Sequence, residues 1–184
     1  NASNLLAVYA VATILGEPEV NVLTALSDLQ PPRGRFQIVR GASGVIGIVD
    51  YAHTPDALKN VLSTINDVAG DNEQVITVVG CGGDRDRTKR PVMARIAAEM
   101  SSQVVLTSDN PRSEEPMAIL NEMREGVQTV DHSRVWVNAD RREAIRQAVG
   151  MAKPGDVVLL AGKGHETYQE INGVKHPFDD VAVL

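Results

Sequence analysis

Four short polar clusters hold most of the reactive chemistry in this 184-residue chain. They are Asp50-Tyr51-Ala52-His53-Thr54-Pro55, Gly80-Cys81-Gly82-Gly83-Asp84-Arg85, Thr107-Ser108-Asp109-Asn110-Pro111-Arg112 and Gly162-Lys163-Gly164-His165-Glu166. Each one ends an apolar run. Glycines let a backbone approach a ligand closely, which would bring Arg85 within reach of an anion. Pro111 presets one dihedral and stiffens its loop, a good mount for an Arg112 guanidinium that must grip a carboxylate with two bonds. Glu166 suits an ammonium group, and His165 suits a proton carrier.

Each cluster also has a plain structural reading. The glycine run could be a flexible turn, and Asp109-Asn110 an Asx cap ahead of a helix near Glu115. His165 and Glu166 could be capping groups, and His53 a loop histidine. Cys81 reads as small and buried. Arg85, Arg87, Lys89 and Arg90 could form a solvated basic loop. Standard nucleotide motifs do not fit. The glycine run has Arg85 where a dinucleotide fingerprint needs its third glycine, and no helix starts at once. Gly162-Lys163-Gly164 is no phosphate loop, because Val157 stands five residues before Gly162 and no Ser or Thr follows the lysine.

The clusters need a frame. Residues 1–29 read as two helices, Asn4 to Leu15 and a second one after Pro18. The first is apolar all round and wants burial on more than one side. Gln30-Pro31-Pro32-Arg33-Gly34 is the expected boundary. Segments 35–40 and 45–49 read as a hairpin about Gly41-Ala42-Ser43-Gly44. After that, strands at 75–79, 104–106, 135–137 and 157–161 alternate with amphipathic helices, two of them capped by Thr54 and Asp140. A last hairpin turns at Asn172-Gly173. This alternation predicts an α/β fold, a mostly parallel sheet with helices on both faces and all four clusters on one edge. Ligands of such sheets bind outside the carboxyl ends of the strands.

Composition narrows the function. The hydrophobic fraction is 43%, with 3% aromatic, so aliphatic residues must fill the core. A formal charge of −6 gives no footprint for nucleic acid or an anionic membrane. No apolar run reaches the ~18 residues of a membrane span. A single cysteine rules out a disulfide framework and fits a reducing cytoplasm. Asn1 is not a natural start, so the chain is expected to be part of a longer protein.

Taken in order, the clusters, together with Asn1-x-x-Asn4-x-x-Ala7 and Gly34-Arg35-Phe36-Gln37, resemble the C-terminal part of the Mur ligase family over essentially the whole chain. The nearest branch adds meso-diaminopimelate to UDP-MurNAc-L-Ala-D-Glu in peptidoglycan synthesis. The resemblance implies that residues 1–32 are the helical tail of a central ATP-binding domain and that residues 33–184 are a Rossmann-like ligase domain. It implies ATP contacts at Asn4, Arg35 and Asp50. The amino acid would be held by Arg85, Asp109, Asn110, Pro111, Arg112, Gly162 and Glu166. The phosphate loop and the Mg²⁺ ligands belong to the missing central part, so no metal ligand and no catalytic residue is assigned here, and the chain alone is expected to be inactive. A monomer is expected. Lysine-adding relatives carry another residue at the position of Arg112. The alternatives are such a lysine-adding enzyme, or a binding module of Rossmann-like shape without chemistry.

Overall fold

The computed structural model describes residues 2–29, 32–41, 43–70 and 72–184. Asn1, part of the expected boundary (Gln30, Pro31) and part of the expected turn (Ala42) lie outside them. The chain divides into two compact units, residues 1–32 and 33–184.

The first unit is a pair of helices, α1 (Ala2–Ile14) and α2 (Glu19–Ser27). Among its described residues only Val22 is buried, at 8% exposure. Leu5, Leu6, Val8, Val11, Ile14 and Leu15 are exposed, so the apolar all-round α1 finds little cover within this unit.

The second unit is built on a six-stranded sheet. Its strands are β1 (Gln37–Arg40), β2 (Ile46–Asp50), β3 (Val75–Val79), β4 (Gln103–Leu106), β5 (Val135–Val137) and β6 (Val157–Ala161). Their order is β1-β2-β6-β3-β4-β5, with β1 antiparallel to β2 and every other pair parallel. The strands are short and apolar on both sides because both faces are covered. Val157, Leu159 and Ala161 join one core with Leu58, Leu62, Met93 and Leu120, which lie on α3 (Pro55–Val68), α4 (Lys89–Met100) and α5 (Pro116–Arg124). Val158 and Leu160 point the other way, onto Ala144, Ile145 and Ala148 of α6 (Arg141–Met151). Thr54 caps α3 and Asp140 caps α6, as their sequence positions require.

Two small elements escape the periodicity reading: a 3₁₀ segment at Thr129–Arg134 and α7 (Asp180–Val183). The last hairpin, β7 (Tyr168–Ile171) and β8 (Val174–Pro177), forms where expected. The chain leaves β3 toward α4 on one face. From β6, the neighbour of β3, it leaves through the hairpin to α7, which packs with α6 on the other face. That divergence opens a crevice at the carboxyl edge, the usual ligand position in such sheets.

One ion pair fastens this edge from below. Arg141 and Asp180 are both fully buried, with Nε and Nη2 of the arginine donating to the carboxylate at 2.8 and 2.7 Å. The remaining donors reach Ser108 O at 3.4 Å and Ala161 O at 3.3 Å. Burial opposes the Arg141 charge, but Asp180, and then Asp109 and Glu166, more than offset it. Breaking such a pair leaves a buried charge uncompensated, so Asp180→Ala is expected to lower stability by about 3–5 kcal/mol in urea unfolding. The paired change Arg141→Met with Asp180→Leu should recover most of that loss. A single variant as stable as wild type would show that the pair does not fasten the edge.

Candidate functional site

Three of the four clusters meet at the crevice between β6, β3 and β4. Lys163 lies at its centre, and its side chain is fully buried. Its Nζ is 3.1 Å from Asn110 Oδ1, 3.4 Å from Glu166 Oε2 and 3.5 Å from Asp109 Oδ1. Asn110 Nδ2 donates to Glu166 Oε2 at 2.8 Å. Two carboxylates, one amide and one ammonium thus form a single network in which the buried ammonium is compensated, as burial demands. The aromatic ring of Tyr168 lies 5.7 Å from the same ammonium.

Arg112 flanks this network in a conformation it would not choose alone. Its φ is 52°, in the left-handed region that side chains with a Cβ resist. Pro111 precedes it, and the β7–β8 hairpin grips it on both sides. Arg112 N donates to Glu170 O at 3.0 Å, and Asn172 N donates to Arg112 O at 2.8 Å. The guanidinium donates from Nη1 to Gly83 O at 2.8 Å, and Nε lies 3.6 Å from Glu170 Oε2. Strain held by so many partners is the pattern of a preorganised binding group.

The glycine loop fits against the loop of Arg112. Gly83 N donates to Asn110 O at 2.9 Å, and a Cβ at Gly83 would fall on the Pro111 carbonyl. Arg90, offered above as part of a solvated basic loop, is instead completely buried. It donates to both oxygens of Glu114, to Glu122 and to Gly82 O, because the loop folds back over α4 and α5. Glu114 Oε1 also accepts from Asp84 N at 2.7 Å. Arg85 itself is exposed at the rim, with Nη1 near Asp84 O at 3.3 Å.

The fourth cluster sits one strand over. Gly162 N donates to Asp50 O at 3.1 Å, which joins the two halves of the rim. Asp50 is half-buried, and burial raises its carboxyl above the ordinary value, opposed by the Phe36 N–H at 2.7 Å and by the Arg35 charge. The exposed Arg35 lies over the Tyr51 ring at 5.2 Å, and that ring also neighbours His53 and His165. Gly34 allows the close approach: a Cβ there would overlap the Gly164 backbone. Burial pushes the Cys81 thiol up to about 12, so it is no nucleophile.

The structure therefore brings together Asp109, Asn110, Arg112 and Glu166, with Gly162 and Pro111 shaping their loops. Arg85 stands at the outer edge, and Arg35 and Asp50 lie toward β1 and β2. Asn4 is exposed on α1, in the other unit. Asp109 caps no helix; α5 begins at Pro116 without a side-chain cap bond, and Asp109 faces Lys163 instead. Glu166, too, is occupied by the network. Sequence reasoning missed Lys163, Glu170, Gln169 (which reaches Asp109 O at 2.8 Å) and the Arg141–Asp180 pair. Lys163 was tested only as a phosphate-loop lysine, and that test was blind to a lysine buried among carboxylates. Among the described residues, no group of three or more His, Cys, Asp or Glu is placed to hold a metal ion. No helix there is long and apolar enough to cross a membrane.

A mostly parallel α/β sheet with charged loops converging at its carboxyl edge is a frame that many ligand-binding domains share. The sequence profile described as "Mur ligase, glutamate ligase domain" matches residues 34–164, and the chain belongs to that family. It is 59% identical over 184 residues to the UDP-N-acetylmuramoyl-L-alanyl-D-glutamate–2,6-diaminopimelate ligase of Cytophaga hutchinsonii, covering 100% of this chain and 38% of that protein. The enzyme of the same name from Bacteroides thetaiotaomicron is 58% identical, with the same coverage. A solved structure of a ligase of that name superposes with a TM-score of 0.76 at 45% identity, over 100% of this chain and 37% of that one. UDP-N-acetylmuramate–alanine ligase from Thermotoga maritima superposes at 0.65 with 25% identity, over 88% of this chain and 34% of that one. The chain thus spans 38% of the length of the curated relatives it matches.

The Arg90–Glu114 pair leaves a signature in acid. Arg90, and then the Asp84 N–H, hold the Glu114 carboxyl at about 2, against an ordinary value near ~4.3. A carboxyl depressed on folding contributes stability that is complete above its unfolded value and lost as pH falls through its folded one. Wild type should therefore exceed Glu114→Gln in unfolding stability at pH 6, with the gap closing progressively from about pH 4.5 toward pH 2. A gap that stays constant with pH would mean that Glu114 is not ionised against Arg90.

Proposed function

We propose that this chain is the amino-acid-binding portion of an ATP-dependent ligase that joins meso-diaminopimelate to UDP-MurNAc-L-Ala-D-Glu in peptidoglycan synthesis. Residues 33–184 would be the C-terminal domain, and residues 1–32 the helical tail of the domain that precedes it. The exposed apolar surface of α1 supports the second assignment, since such a surface is normally covered by more protein.

The observation that carries the reading is Arg112. It is a guanidinium held on a strained, doubly clamped loop, beside a network rich in ammonium acceptors. Diaminopimelate carries, at its far end, one carboxylate and one ammonium. Arg112 takes the carboxylate, and Glu166 with Asp109 and Asn110 takes the ammonium. Arg85, at the outer edge, meets the other end. The near amine is thereby directed into the crevice, free to attack.

The reaction has two steps. ATP phosphorylates the D-glutamate side-chain carboxylate, giving an acyl phosphate and ADP. The amine then attacks that carbonyl, loses a proton, and expels phosphate to leave an amide. This chain contributes positioning. Arg35 and Asp50 stand one strand from the amino-acid network, where they meet the phosphates and ribose of ATP, and Asn4 meets the adenine side. Magnesium would neutralise the phosphates, and its ligands are expected in the domain that precedes this one. The reading places the protein in the cytoplasm as a monomer.

A substrate without the far carboxylate leaves Arg112 unpaired, so discrimination on the order of 10⁴-fold against lysine is expected. The test is ligation by the full-length enzyme with meso-diaminopimelate and with L-lysine, for wild type and Arg112→Ala. The variant should lose most of its kcat/KM for diaminopimelate and little for lysine. Equal use of both amino acids by the wild-type enzyme would point to a lysine-adding relative. Absence of any ATP-dependent product would favour a binding module without chemistry.

A further inference from the structure

The crevice already contains the two charges of a ligand end, supplied by the chain itself. Lys163 presents an ammonium to Asn110, Glu166 and Asp109 at 3.1–3.5 Å. Glu170 presents a carboxylate to Arg112, with Oε2 at 3.6 Å from Nε. The two are not equivalent. Lys163 is fully buried and belongs to the floor of the site. The side chains of Glu170 and Arg112 are 27% and 21% exposed. Glu170 is aimed by its backbone alone: its N–H donates to Asn110 Oδ1 at 3.0 Å, and its carbonyl accepts from Arg112 N at 3.0 Å. At 3.6 Å its carboxylate is an ion pair without a hydrogen bond, and it can turn away into solvent without disturbing the hairpin.

We propose that Glu170 tunes the affinity for the amino acid as an internal counter-ion, one that neutralises Arg112 before the substrate arrives and is displaced by its carboxylate. This rests on the reading that Arg112 takes that carboxylate. The physical reason is counter-ion exchange. A partly buried guanidinium without a partner is costly, and Glu170 removes that cost when no ligand is bound. A ligand carboxylate arriving at Arg112 would then face a like charge, so it binds only as Glu170 leaves. An amino acid without the far carboxylate never displaces Glu170. The internal pair therefore weakens binding of the carboxylate-bearing substrate and is neutral toward its competitor.

The test uses the full-length ligase with Glu170→Gln and Glu170→Ala, both of which keep the backbone hydrogen bonds. A partly exposed pair of this kind is worth a factor of roughly two to five. The KM for meso-diaminopimelate should fall by that factor in both variants, while the KM for L-lysine stays constant. The effect should shrink as salt rises, since salt screens exposed pairs. Combined with Arg112→Ala, the Glu170 substitutions should have no further effect, because the group they release is gone. A KM for diaminopimelate that is unchanged or raised overturns the proposal, the second result making Glu170 a brace for Arg112. The two readings fail separately. If Arg112→Ala retains full use of diaminopimelate, the assignment of Arg112 is wrong and this proposal falls with it. If Arg112→Ala loses that use but the Glu170 variants do not lower KM, only the counter-ion role is wrong.

Discussion

Two of the three buried cations, Lys163 and Arg141, set the terms for the ligand edge of this domain. Lys163 and Arg141 have no exposed side-chain surface, and a charge removed from water must be compensated within hydrogen-bonding reach. That requirement dictates where their partners go. Arg141 demands Asp180, which brings α7 against α6 and holds the carbonyls that end β4 and β6. Lys163 demands Asp109, Asn110 and Glu166, which fixes the loop after β4 against the loop after β6. The acidic groups of the crevice are thus anchored from two sides, by cations that a ligand need not touch. Arg141 also couples electrostatically to Asp109 and Glu166. The two cations together therefore give the acidic cluster of the crevice nearby positive charge.

On top of this floor the loops hold strained conformations. Asp84 and Arg112 both have positive φ, at 53° and 52°. Neither could persist as an isolated choice, since each costs on the order of 1 kcal/mol or more. Asp84 is held by Ser113 through both carboxylate oxygens and by Glu114 at its N–H. Arg112 is held by the hairpin. The two sets of bonds interlock, because Ser113 and Glu114 directly follow Arg112 in the chain. A small change at Glu114 therefore acts on the glycine loop and on the arginine loop at once.

The sequence carried the parts of this design that depend on local pattern. The strand–helix alternation gave the sheet, Thr54 and Asp140 gave helix starts, and Asn172-Gly173 gave the last hairpin. Because parallel strands end on one edge, the four clusters could be placed together from sequence alone. What stayed hidden depends on pairing across distance. Arg141 and Asp180 are 39 residues apart, and nothing in either local context marks it as buried. Arg90 read as part of a solvated run because its neighbours Arg87 and Lys89 are charged; only the fold turns it inward onto Glu114 and Glu122. The role of Glu170 was illegible for a related reason: it comes from the register of β7 beside Arg112, an isolated bridge at Ile171 that local periodicity does not encode.

The crevice is also uneven along its length, and the unevenness has a mechanical meaning. At the β3–β4 end, Asn110 and Lys163 are buried and bonded to each other, and Pro111 beside them is buried, so this end is rigidly set. At the β1–β2 end, Arg35, His53 and His165 are exposed, joined mainly by ring and cation contacts around Tyr51. Preorganisation lowers the ordering cost of binding, whereas an open rim must be completed by something else. On the proposed reading the division is a sensible one. Selection among similar amino acids needs rigid, paired charges. A nucleotide held between two domains needs one half of its site to arrive with the other domain, so exposed groups belong on that side.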